Sequence, residues 1–367
     1  MASVGLSAVL LPQASAGITE GPAVPGGAVD SRTTATFERV ADAVLTDRTS
    51  ALLDRPAARR GALTLDKGIR LASGLARAEA NGLATLKGRK ARLASLGEAY
   101  TAADTKVAVD SVRISDGQAV VRVTETTTLT YKKIRGDEPA TTGFQAHHEM
   151  RFAPGAGGGW DLAGIESEDR GIAAVNQPDT AARAGATTPP RGTPAATTRP
   201  APSAPKTQTA TGYDYRAMAA YAERYWSNYN PAYRKFNDAG GDCTNFTSQA
   251  LKAGGWKHAP GDGTDYRTWW YGSTTQSTSW VGADEWSWFT LSSKRATNLK
   301  NAYQLGVGDI MQMDFNRDGS KDHSMMATYR SSSGMPYLTY HSVNTYRKSL
   351  ASIIASYPNA VYYAYRT

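Results

Sequence analysis

At 367 residues, with 41% hydrophobic and 20% charged residues, the chain is long enough for two ordinary domains and too apolar to be disordered throughout. No apolar run approaches the ~20 residues of a membrane span. The net charge is +8, but Lys and Arg are scattered with no run of four, which excludes a basic stripe for tracking nucleic acid. Diffuse positive charge serves solubility, and it also suits dwelling on an anionic wall polymer.

Residues 1–32 open with "MASVGLSAVLLPQASAG". The short apolar run ends in Ala14-Ser15-Ala16, the A-x-A pattern of a secretory signal, without the usual basic leader. The expectation is a signal remnant and a disordered stretch, hence an exported protein. Residues 33–175 read as an α+β domain. Phe37, Val40, Ala41, Val44 and Leu45 recur at helical spacing, and a second helical stretch covers roughly 64–98. The period then changes to two. "TKVAVDSVRIS", a Asp116-Gly117 turn and "QAVVRVTETTTLTYKK" predict a hairpin, and "GFQAHHEMRFAP" with "GGWDLAGIES" predicts another. Helices followed by an antiparallel sheet resemble, in element order alone, the nuclear-transport-factor-like domains. His147 and His148 fall on opposite faces of a strand with no acidic or cysteine cluster in sequence, so structural roles are expected. This part reads as a positioning module.

Residues 176–210 form a Pro/Thr/Ala-rich stretch. From Gln177 to Ala210 there is no Val, Ile, Leu, Met or aromatic residue, and seven of the 17 prolines lie here. Such a segment buries little apolar surface and reads as an extended spacer. Spacers of this kind join modules of wall-associated secreted proteins.

Residues 211–367 hold seven of the eight tryptophans, three of the five histidines and the one cysteine. Met218, Tyr221, Ala222 and Tyr225 mark an amphipathic helix that ends at Asn230-Pro231. Next comes "FNDAGGDCTNFTSQALKAGGW". Asp242 reads as an N-cap and Cys243 as the first helical residue, with Phe246, Ala250 and Ala253 inward and Gly254-Gly255 as the stop. Gly240-Gly241 lets the chain turn and leaves space beside the sulfur. One cysteine makes no internal disulfide, and an exported free thiol carries oxidation risk, so a reactive role is in question. At a helix start the macrodipole and unpaired N–H groups favour thiolate, so a lowered thiol pKa is expected. The same N–H groups suit an oxyanion.

Three strands follow: 309–313, "HSMMATY" opened by His323, and "YLTYHSVNT". A histidine at a strand start and a polar residue on the next strand make a base and its orienter. His341 is the natural orienter. Asn344 is the other candidate, and as it stands three residues on, a regular strand turns it to the opposite face.

The run "YDYRAMAAYAERYWSNYNPAYRKFNDAGGDCTNFTSQALKAGGW", with "GDIMQMD", "DHSMMATY" and "YHSVNTY", resembles the putative amidase domain family of bacterial exported proteins, over residues 211–366. That family is similar to the NlpC-like and CHAP cysteine amidases and peptidases. The resemblance implies a papain-like helix on a sheet, with Cys243 as nucleophile, His323 as base and His341 as third member. It implies an oxyanion site at the Cys243 backbone N–H, with the Asn237 side chain as second donor. The implied reaction is amide hydrolysis through a thioester. For an exported amidase the expected substrate is peptidoglycan or wall peptides, and a monomer that requires no cofactor is expected.

Trp269, Trp270, Trp280, Trp286 and Trp288 crowd into 25 residues, and their faces suit sugar rings as well as a core. Asp314, Asn316, Asp318 and Asp322 are spaced like half a calcium loop, with Gly319 at the turn, but Met325 stands where the closing Glu belongs; a plain hairpin turn is the competing reading. Two rival functions remain: a wall- or glycan-binding module without activity, and acyl transfer on the same three residues.

Overall fold

The structure is a computed structural model that describes residues 29–54, 70–156, 158–169, 171–178, 192–200, 212–239 and 241–367. The signal remnant expected before residue 29 and Gly240 lie outside the described residues.

Helix α1 (Ser31–Ser50) starts at Asp30, whose carboxylate accepts from the Thr33 N–H at 2.9 Å. All five residues read as its apolar stripe are buried. They pack on Val121, Val123, Met150 and Phe152 of the sheet. Helix α2 (Ser73–Ser95) follows, then β1 (Tyr100–Ser115), β2 (Gln118–Tyr131), β3 (Thr141–Pro154) and β4 (Trp160–Ser167). Asp116 and Gly117 turn the first hairpin with positive φ, as their sequence requires. His147 and His148 do point to opposite faces, and each meets a carboxylate: His147 meets Asp169 at 3.0 Å and buried His148 meets buried Glu125 at 3.0 Å.

The second half contributes α3 (Tyr215–Tyr225), α4 (Cys243–Ala253), α5 (Thr278–Val281), α6 (Ala283–Ser292), β5 (Thr297–Leu299), β6 (Ile310–Asp314), β7 (His323–Arg330), β8 (Pro336–Tyr340), β9 (Asn344–Ser349), α7 (Leu350–Ser356) and β10 (Val361–Arg366). Helix and antiparallel sheet mix in both halves. The strands of the two halves join in one ten-stranded sheet, ordered β1-β2-β3-β9-β8-β7-β6-β10-β5, with β4 beside β3. One edge of β3 serves two partners end to end: residues 148–154 pair with β4, and Gly143, Phe144 and Gln145 pair with Tyr346, Thr345 and Asn344 of β9. Side chains cross the same seam. Tyr100 Oη lies 2.9 Å from Ser352 Oγ, Ser349 N–H donates to Tyr131 Oη at 3.1 Å, and Thr142 Oγ1 donates to the Tyr346 carbonyl at 2.8 Å. Accordingly one apolar cluster runs from Leu86, Tyr131 and Phe144 to Met313, Tyr340 and Leu350. A second cluster, with Phe246, Trp269, Trp280 and Trp286, fills the opposite face of the amidase-like half.

Three local expectations are corrected. "YLTYHSVNT" is not one strand: β8 stops at Tyr340, Ser342 takes φ 84°, and β9 begins at Asn344, so His341 stands at a turn. Ala253 is exposed, and Leu251, adjacent to Ala250 on the packed side of the helix, is buried in its stead. Part of the proline-rich stretch is laid on the body: Ala195 N–H donates to the Tyr362 carbonyl at 2.7 Å, and Ala196 bridges to Asn301. Small residues do this through their backbones, which an apolar count does not register.

Candidate active site

Helix α4 enters from Gly241, whose φ of 118° is a conformation that L side chains rarely adopt. A methyl there would stand 2.9 Å from Ser342 Oγ, so glycine is also required by the close approach of the β8–β9 turn. Asp242 follows, fully buried, but it does not cap its helix through its side chain. Its Oδ1 accepts from Phe236 N–H at 3.0 Å and Asn245 Nδ2 at 2.9 Å, and its Oδ2 meets His341 Nδ1 at 2.7 Å. His341 Nε2 is 2.8 Å from the carbonyl of Tyr225, the last residue of α3. Both neighbours carry acceptor oxygens, so neither ring nitrogen is left to orient another side chain. The ring is stacked between Phe246 at 3.9 Å and Tyr229 at 4.1 Å. His341 therefore clamps the end of α3, the start of α4 and the end of β8 together.

Cys243 is buried. Its sulfur lies 3.7 Å from Thr244 Oγ1, which is 2.9 Å from Ser324 Oγ on β7. Burial pushes the thiol up; the Ser324 backbone N–H and the Thr244 hydroxyl pull it down, and Asp242 adds to the rise. The lowered thiol expected from the helix start is thus not found in this form, because desolvation of a buried thiolate outweighs its donors.

His323 opens β7 as expected, and strand alternation sets its orientation. Ser324 and Met326 face α4, through the bond to Thr244 and contact with the Phe246 cluster. His323 and Met325 face the other way. The His323 ring stands edge-on to Tyr340, with centroids 5.2 Å apart, and near Phe315 at 6.4 Å. Neither ring nitrogen has a hydrogen-bond partner among the described residues. Burial alone pushes its pKa down to about 3, so the ring is neutral.

The structure thus brings Cys243 to the start of β7, beside Ser324, but it does not assemble the expected set of three. His341 does not orient His323, because both its nitrogens are engaged elsewhere. Nor does Asn344: its Nδ2 donates to Gln145 Oε1 at 3.2 Å and its Oδ1 accepts from Tyr229 Oη at 3.0 Å. The Asn237 side chain, the expected second oxyanion donor, also turns to Tyr229, whose hydroxyl donates to Asn237 Oδ1 at 3.2 Å. Trp269, Trp280 and Trp286 are core, wholly buried, whereas Trp270 and Trp288 are half-buried. The carboxylates of the calcium-like loop are taken by the loop itself. Asp314 accepts from Arg317 and Gly319 N–H, Asp318 from Ser320 N–H and Asp322 from Phe315 N–H; Asn316 Nδ2 donates to Asp318 at 3.0 Å. Among the described residues no group of three His, Cys, Asp or Glu is placed to hold a metal ion. Sequence reasoning missed the clamp role of Asp242, since an Asp before a helix reads as an N-cap, and it missed Tyr229 and Ser324 altogether.

Residues 212–365 match the family model described as "Putative amidase domain". Two uncharacterized proteins of Bacillus subtilis strain 168 are similar over part of their length. YhbB is 37% identical over 129 residues, 34% of this chain and 40% of that protein, and YjcM is 31% identical over 143 residues, 36% and 32%. The chain therefore spans less than half the length of either. Among solved structures, the intermembrane space region of the chloroplast protein ARC6 aligns with 38% of this chain and 96% of its own at 18% identity and TM-score 0.25. A conserved protein of Planctomyces limnophilus DSM 3776 covers 36% and 92% at 13% identity and TM-score 0.18. Such scores carry no argument about the fold. No described helix is long and apolar enough to cross a membrane.

Proposed function

We propose that the protein is a cysteine amidase that cleaves amide bonds in cell-wall peptides, with Cys243 as the nucleophile and His323 as the base. The observation that carries the reading is the placement of Cys243 at the first residue of α4, locked by the Asp242–His341 clamp and set against the Ser324 N–H, one residue from His323. Of the two histidines, His323 is the one with nitrogens free to accept a proton.

In the reaction, the imidazole of His323 takes the thiol proton as the sulfur attacks the amide carbonyl. The tetrahedral oxyanion meets backbone N–H groups at the α4 start. The imidazolium then gives its proton to the departing amine, leaving a thioester on Cys243. Water, deprotonated by the same imidazole, releases the acid and restores the thiol. The ring and the sulfur are not hydrogen-bonded to one another, so the cycle requires the His323 ring to swing about its strand-start backbone toward α4. Export, and a wall polymer as the substrate, belong to the same reading; the positive net charge and proline-rich stretch support them.

The missing Cys243–His323 bond is also what an inactive binding module would show, and an amine in place of water would make the protein an acyl transferase. One experiment separates the three. Purified peptidoglycan is digested with the full chain, with and without an added amine, and the released ends are identified by mass spectrometry. New amine and carboxyl ends mean hydrolysis, a product joined to the added amine means transfer, and retention without new ends means binding.

A further inference from the structure

The segment that leaves the first half does not simply run into the spacer. Residues 171–178 cross the seam and lie over the face of the sheet that carries His323. Gly171, with φ 91°, lies beside the ring: a methyl on it would stand in van der Waals contact, 3.8 Å from His323 Nδ1. Ile172, Ala174 and Val175 are buried in the same cluster as Tyr340, Met313 and Leu350.

Polar anchors hold the segment at both ends of its apolar stretch. The Tyr357 hydroxyl accepts from Ala173 N–H at 2.5 Å and donates to the Ala173 carbonyl at 3.2 Å. Arg89 Nη1 donates to the carbonyls of Val175 at 2.5 Å and Gln177 at 2.8 Å. Buried Asn176 donates through Nδ2 to Glu125 Oε1 at 2.7 Å and Thr49 Oγ1 at 2.8 Å. A small cavity beneath is lined by Ala173, Ala174, Val175, Tyr340 and Lys348. The segment thus covers Lys348 with its apolar residues and borders His323 at Gly171. Burial holds Lys348 down to about 7 and His323 down to about 3. The two ring nitrogens of His323 are buried without partners among the described residues, which is expensive to keep, and a segment retained beside them at that cost has a use in covering them.

We propose that residues 171–178 are an autoinhibitory strap that seals His323 in the resting protein, and that the site works once the strap is lifted. The inhibition rests on the amidase reading; the sealing does not. Lifting the strap admits water to the ring, which restores its affinity for a proton, and frees the ring to turn toward Cys243.

The test uses the full chain and two readouts. Diethyl pyrocarbonate modification is followed at each histidine by mass spectrometry, in wild type, Ile172→Glu and Asn176→Ala, with melting curves to confirm that each variant folds. His341, with both nitrogens bonded, is the internal reference. The expected result is slow modification of His323 in wild type and a rise of roughly tenfold or more in both variants, with His341 unchanged, as local opening predicts. Tyr357→Phe, which keeps its ring on Phe315, covers the case in which either variant fails to fold, and a smaller rise of the same sign is expected. Hydrolysis of peptidoglycan is measured on the same samples. Faster modification with faster Cys243-dependent hydrolysis supports the strap and its inhibitory role. Faster modification with no hydrolysis in any variant refutes the amidase reading and with it the inhibition, while the seal stands. A wild-type His323 that reacts like a free histidine, or rates unchanged in the folded variants, overturns the strap whatever the hydrolysis shows.

Discussion

Two of the three histidines of the amidase-like half stand in opposite conditions. His341, at the α4 start, has a partner on each nitrogen and an aromatic ring on each face. His323, on the other face of the sheet, is equally buried and has no partner on either nitrogen. A satisfied buried group is part of the scaffold. An unsatisfied one is held against its own preference, and that cost is acceptable where the group must later act. The difference assigns His341 to architecture and leaves His323 for chemistry.

The sharpest way to break that comparison is to remove the clamp. His341→Ala takes one hydrogen-bond partner from the buried Asp242 carboxylate and leaves a cavity where the ring was stacked between Phe246 and Tyr229; it should cost about 3–5 kcal/mol, read as a large fall in the chemical-denaturation midpoint. If His341→Ala kept wild-type stability but lost activity, the roles assigned to the two histidines would be exchanged.

His323→Phe should act the other way. An apolar ring beside Phe315 and Tyr340 removes two unsatisfied nitrogens, and a gain of about 1–3 kcal/mol is expected at neutral pH, together with loss of hydrolysis. Its pH dependence has a definite sign. The unfolded chain takes up a proton on this ring below about pH 6.5, and the folded chain only near pH 3, so wild-type stability is intact above about 6.5 and falls as the pH drops, by up to about 1.4 kcal/mol per unit. His323→Phe should flatten that acid limb. Asp322, pushed up to about 6 mainly by burial, works oppositely: its contribution grows as the pH falls from about 6 toward 4, so the difference between wild type and variant is the quantity to plot.

Gly241→Ala meets both a positive φ and the Ser342 hydroxyl and should cost about 1–3 kcal/mol, with loss of activity, since the turn aims α4. The smallest effect is expected for Tyr229→Phe. It keeps the stack on His341 and loses the hydroxyl's bonds to Asn237 and Asn344, about 1 kcal/mol. A change above about 3 kcal/mol would mean that Tyr229 is part of the clamp itself.

Local patterns in the sequence were good guides to local structure. The apolar stripe of α1, the two hairpins of the first half, α4 with Cys243 at its head and His323 at the start of β7 were all legible, because each depends on spacing within about ten residues. The amidase-like motifs were legible for the same reason, and the family match over residues 212–365 agrees with them. What was hidden depends on partners far off in the chain. Alternation in "YLTYHSVNT" is compatible with one strand, and the turn at 341–343 shows only in the folded chain, where Ser342 comes beside Gly241. The free edge of β3 gives no local sign that β9 will pair with it. Ile172 and Val175 look like the end of a domain, and nothing near them in sequence says that they will lie over His323. Five tryptophans in a row of turns and short helices likewise divide into core and surface only through packing.

The central claim is that Cys243 does covalent chemistry. The most direct measurement is release of new amine and carboxyl ends from purified peptidoglycan, compared between the wild type, Ile172→Glu and Ile172→Glu with Cys243→Ala, all confirmed folded. The account predicts slow release by the wild type, faster release by Ile172→Glu and none once Cys243 is alanine. Release that persists after Cys243→Ala would contradict it, and so would its absence from the folded Ile172→Glu protein.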